Sequence, residues 1–168
     1  MKQPQSPVQR WLVLGMLAGV SLTLFLVEAQ FPLPVPLPGV KLGLANRVTL
    51  FVLARFSVKE AAMLMAVRIL LGQLLTGQAV SLVYAMAGGA VSLCVMALCH
   101  RIVQDRSVWF TSVLGGVSHN LGQMAAAVIL MGWGSTVYYL PFLLVSGVLM
   151  GLLTGIATQL FLRAWDAH

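Results

Sequence analysis

Six apolar runs fill most of this chain, at about residues 11–27, 42–54, 61–75, 80–98, 108–131 and 137–162. A helix needs about 20 predominantly apolar residues to cross a bilayer, and lipid leaves backbone polar groups no partner outside helices and closed barrels. Of 168 residues, 60% are hydrophobic and 8% charged, and the mean hydropathy is +0.95. No soluble domain of this size would expose such a surface. The runs predict an all-α integral membrane protein, a single bundle of about six helices.

Runs 42–54 and 61–75 are short for a full span, so they are expected to be tilted, extended into polar flanks or partly re-entrant. Between the first two runs, Pro32, Pro34, Pro36 and Pro38 forbid a continuous helix. The expected organisation is a cytoplasmic tail at 1–10, a membrane domain at 11–162 with an external proline-rich loop at 28–41, and a cytoplasmic tail at 163–168.

Orientation follows from lysine and arginine. With the N-terminus inside, inner segments hold Lys2, Arg10, Arg55, Lys59, Arg101, Arg106 and Arg163, and outer loops hold only Lys41. This positive-inside bias puts both termini in the cytoplasm of a bacterial inner membrane. The rival reading of the first run is a cleaved signal peptide ending near Val27-Glu28-Ala29, but the run is long for the apolar core of one. The net charge of +6 is spread over several inner loops and suits anionic lipid headgroups better than nucleic acid. Cys94 and Cys99 fall on different faces of one helix and read as packed thiols, with no second pair for a metal site or disulfide framework.

Polar groups inside these runs carry the functional signal, because a charge at mid-membrane costs about 2.5–3.5 kcal/mol on insertion scales and normally faces a cavity or partner. Met65, Arg68, Gly72 and Thr76 share one face of the third helix. Arg68 either binds an anionic or carbonyl-bearing group through its fork of donors or is a structural arginine held by carbonyls or by Glu60. On the fifth helix Gly116, His119, Asn120 and Gln123 form one polar stripe, which is either a substrate pocket or interhelical hydrogen bonding. The fourth helix offers Ser81, Tyr84, Gly88, Gly89 and Ser92, a small and polar face able to pack against either stripe. Gly15 and Gly19 on the first helix form a GxxxG pair, a weak sign of a helix contact or partner-docking face.

Counting removes several enzyme classes. The acidic residues are Glu28, Glu60, Asp105 and Asp166, none adjacent to another, so clustered aspartates for a magnesium diphosphate are missing. No GxxxxGK[ST] loop is present. The chain is expected to be no enzyme, to need no cofactor and to take any energy from a partner or gradient.

The stretch Pro38-Gly39-Val40-Lys41-Leu42-Gly43-Leu44-Ala45-Asn46, then Arg68-x-x-x-Gly72, then His119-Asn120-Leu121-Gly122-Gln123, resembles the membrane family called Gx transporters, also labelled heptaprenyl diphosphate synthase component I. The similarity runs from Trp11 to Leu162. It implies a six-helix fold related to the substrate-binding S components of energy-coupling-factor transporters, with Gly15 and Gly19 where those modules meet an energising subunit. It also implies an outward-facing substrate site, with Lys41 and Asn46 closing or lining the pocket and Arg68, His119, Asn120 and Gln123 deeper. Arg47 departs from the family pattern, where an apolar residue is more usual.

The expectation is therefore a membrane protein that binds and takes up a small organic molecule with an anionic or polar head, partnered by the bilayer, its substrate and an energising ATPase with a coupling membrane subunit. Lys41 and Arg68 supply charge recognition, with no acidic residue expected at depth to neutralise them. The alternative is a noncatalytic subunit or anchor of a polyprenyl diphosphate synthase or of a membrane redox system.

Overall fold

The computed structural model describes residues 6–30, 44–77, 79–103, 107–133, 138 and 140–166. They form six helices and, among the described residues, no strand: α1 (Pro7–Gln30), α2 (Leu44–Arg55), α3 (Val58–Thr76), α4 (Ala79–Val103), α5 (Val108–Met131) and α6 (Leu140–Asp166). α1, α4, α5 and α6 are each long and apolar enough to cross a membrane. Their outward faces carry large apolar side chains such as Met16, Leu98, Ile129 and Leu153. Such a surface has a solvent in lipid and none in water.

α2 solves the problem of the short apolar run. Its twelve residues rise about 18 Å, well short of a bilayer core. Val48, Thr49, Leu50, Phe51, Val52 and Leu53 are all buried in succession, and α1, α3, α4 and α6 all touch the helix. A helix that is apolar all round is stable where protein surrounds it on every side. The core cluster is accordingly built around α2, with Met65 and Ile69 of α3 and Leu93 and Met96 of α4 packed into it.

Two turns are set locally. Ser57 caps α3, its hydroxyl accepting from the Glu60 amide, which satisfies one of the orphan donors of a helix start. Gly77 ends α3 with φ 69°, a left-handed conformation that glycine reaches without a Cβ penalty.

α4, α5 and α6 approach closely through glycine. A Cβ added at Gly122 would lie 2.9 Å from the Gly88 Cα, and one added at Gly116 would lie 2.5 Å from the Gly147 carbonyl oxygen. On α6, Gly147, Gly151 and Gly155 repeat every four residues, and added Cβ atoms there would meet backbone of Gly116, Val113 and Trp109. Backbones this close are the small-residue packing typical of membrane helices. The fourth-helix face packs against both neighbours: Gly89 lies on Met65 and Ile69 of α3, Gly88 lies on His119 and Gln123 of α5, and Ser92 donates to the Gly115 carbonyl at 2.8 Å.

Some boundaries differ from expectation. α1 continues to Gln30, so Glu28 belongs to a helix and not to the external loop. α1 begins at Pro7 and α6 reaches Asp166, so both flanking tails are partly helical. Cys99 is packed, 3.5 Å from the Thr111 hydroxyl, whereas Cys94 is exposed.

Candidate functional site

A cavity opens between α1, α3, α4, α5 and α6, with Asn46 of α2 at its lining, and leaves about 80 Å³ of open space. Arg68 and Gln73 enter from α3, Ser81 from α4, Gly116, His119, Asn120 and Gln123 from α5, and Ser146, Gly147 and Thr154 from α6. The polar stripe of α5 and the arginine face of α3 thus meet in one space. Packing around the glycines gives the reason. Gly88 lets α4 sit directly on the His119 backbone, and Gly147 lets α6 sit on Gly116, so the larger polar side chains between them project into the remaining gap.

Arg68 is 8% exposed, and its Nε has no hydrogen-bond partner among the described residues. Its electrostatic counterpart is Glu28 on α1, which is 4% exposed and lines the same cavity. This corrects two expectations. An acidic residue does lie buried at the cavity that Arg68 lines, because α1 runs through position 28. Glu60 is not the partner of Arg68, because it is held by Arg10 at 2.6 Å and 2.8 Å and by Ser57. Gly72 is covered by the Phe25 ring, which a Cβ at Gly72 would meet at 2.5 Å.

His119 is close enough to Arg68 for the two to interact electrostatically, and its ring is hydrogen-bonded to the Gly88 backbone. Its Nδ1 is buried without a partner, as is Oε1 of Gln73, whose amide nitrogen donates to Ser81 at 3.3 Å. Asn120 behaves differently. Its amide donates to the Leu143 carbonyl at 2.7 Å and to Ser146 at 3.3 Å, so it ties α5 to α6 while lining the cavity. Gln123 packs on Gly88 and also lines it.

Of the other expected residues, Asn46 lines the cavity, and Lys41 lies outside the described residues. Gly15 and Gly19 are exposed, with no atom within 4 Å of an added Cβ. Sequence reasoning missed Glu28, Gln73, Ser112, Ser146 and Thr154 in the lining. The four-residue glycine repeat of α6 was a usable signal for the last two, since it marks the face turned toward α5. Glu28 carried none, because it stands where the apolar run stops.

Four membrane-length helices and two shorter ones, packed around a polar cavity, define a helical membrane bundle. Within that class, the chain belongs to the heptaprenyl diphosphate synthase component I family, which it matches over residues 17–161. The match carries the synthase-component label of the resemblance and not its transporter half. No curated protein and no solved structure matches the chain.

Proposed function

We propose that the protein is a noncatalytic membrane subunit that holds a small molecule with a polar head in the cavity between its helices and serves a partner enzyme at the membrane. The observation that carries this reading is the gathering of Arg68, Gln73 and His119 around one cavity, each with a buried polar atom, Nε, Oε1 and Nδ1, that has no partner among the described residues. Buried polar groups in a membrane bundle are costly unless something answers them. The family's name favours a polyprenyl diphosphate synthase as the partner. The lack of adjacent acidic residues favours leaving the metal-dependent chemistry to that partner.

Arg68, Gln73 and His119 contact the ligand in this reading. Gln123 and Asn46 shape the wall, Asn120 holds it together, and Lys41 lies in the stretch that leads to α2. The whole of 11–162 acts as one membrane domain of a bacterial inner membrane. Both termini are cytoplasmic, with Arg55, Lys59, Arg101 and Arg163 on the inner side. The ion pair from the start of α1 to the start of α3 supports a shared side for those two helix ends.

A second reading, uptake of the ligand with an energising partner, is favoured by the uncovered Gly15 and Gly19 face of α1. Affinity purification in mild detergent from native cells, with mass spectrometry of proteins and retained small molecules, separates the two. A co-purifying prenyl synthase supports the subunit reading. An ATPase pair with a coupling membrane subunit replaces it by the uptake reading. Ligand retention that is unchanged in an Arg68→Ala/His119→Ala protein sinks the pocket in both.

A further inference from the structure

The hydrogen-bonding inventory of the cavity narrows the ligand class, given the reading that this cavity binds a small molecule. Each bare buried atom must be answered by its complement on the ligand. Arg68 Nε is a donor and asks for an acceptor. Gln73 has its amide nitrogen turned to Ser81, so its bare Oε1 asks for a donor.

His119 is settled without choosing an amide orientation. Gly88 lies within α4, where its N–H is used by the helix ladder, so its free hydrogen-bonding capacity is the carbonyl, which only accepts. The ring nitrogen facing Gly88 therefore carries hydrogen. The bare one is Nδ1, an acceptor in the neutral imidazole.

Charge points the same way. The formal charges among the described lining residues are Arg68 and Glu28, one of each sign, and they already interact. A fully ionised diphosphate or phosphate has only acceptors. It would satisfy Arg68 while setting lone pairs against His119 Nδ1, Gln73 Oε1 and the Glu28 carboxylate. The open space of about 80 Å³ is about half that of a cavity that holds benzene, so it takes a small polar head and not a whole ring.

We infer that the cavity selects an uncharged polar head, smaller than a single ring, carrying at least one N–H or O–H donor and one acceptor, and rejects phosphate-type anions. The diphosphate of a prenyl substrate would then be handled by the partner enzyme and not by this pocket.

The test uses the full-length protein in mild detergent, with binding followed by thermal shift and calorimetry. The probes are resorcinol and nicotinamide, which donate and accept, 1,4-dimethoxybenzene, which only accepts, and inorganic pyrophosphate, an anion whose oxygens nearly all accept. At least one of the first two should bind tenfold or more tightly than either of the others. That preference should fall at least tenfold in Gln73→Leu and in His119→Phe. His119→Asn, which keeps an acceptor near the Nδ1 position, should recover part of it, and this recovery separates ligand contact from loss of fold. Pyrophosphate binding tighter than the neutral probes, and lost in Arg68→Gln, overturns the inference while the pocket reading stands. Four probes that all leave the wild-type protein unchanged overturn both.

Discussion

Arg68 on α3 and Glu28 on α1 are 40 positions apart in the chain and form an interacting pair of opposite charges on one cavity wall, each less than a tenth exposed. Deep charges survive in a membrane bundle when each lowers the cost of the other. The pair explains how an arginine can be buried in this bundle. It also makes each residue's removal a test of the other.

Arg68→Leu or Glu28→Leu alone should destabilise the protein, with a coupling of about 0.5–3 kcal/mol between the two changes. The double variant should lose less than the two single losses added. Thermal melting of all four proteins in one detergent gives the cycle, and simple additivity of the single losses would refute the pairing.

Asn120→Leu removes the bond to Leu143 and should cost only about 0.6 kcal/mol, the average for interhelical hydrogen bonds in a membrane protein. Ligand retention should fall far less than in His119→Ala. Equal losses of retention in the two variants would place Asn120 among the ligand contacts instead.

Glycine substitutions should divide into two groups. Gly116→Ala and Gly151→Ala force a Cβ onto backbone of the facing helix and should each cost about 1–3 kcal/mol by overpacking. A Cβ added at Gly15 meets nothing within 4 Å, so melting of Gly15→Leu should be unchanged. If α1 docks a partner, Gly15→Leu should still break the complex recovered from cells, and an intact complex would refute that role.

Arg101→Glu reverses an exposed charge near the C-terminal end of α4, away from the cavity lining. Probe affinity should stay within twofold of wild type in calorimetry, while yield of a cytoplasmic partner enzyme on co-purification should drop. A loss of probe affinity with an unchanged partner yield would reverse the assignment of recognition to the cavity and docking to the inner loops.

The bundle was legible because lipid imposes one rule on every residue. Apolar runs at 80–98 and 108–131 had to be helices, and they became α4 and α5 with little change of boundary. The α3 and α5 stripes were legible for the same reason, since helical spacing fixes which residues share a face. Glu28 was not, because whether a residue at the end of an apolar run stays helical depends on what it meets there, and Arg68 is contributed by a different helix. α2 was legible only as a run too short to span, since its burial comes from the helices packed around it.

The sequence by itself determined the solvent, the helix count, and the faces on which Arg68 and His119 lie. Only the tertiary structure decided that those faces share a cavity, that Glu28 joins them, that Asn120 is spent on α6 and that Glu60 is taken by Arg10. Spacing within a helix is set by the backbone's own geometry, whereas the rotation of one helix against another is set by close contacts such as Gly88 on His119 and Gly116 on Gly147, between residues far apart in the chain.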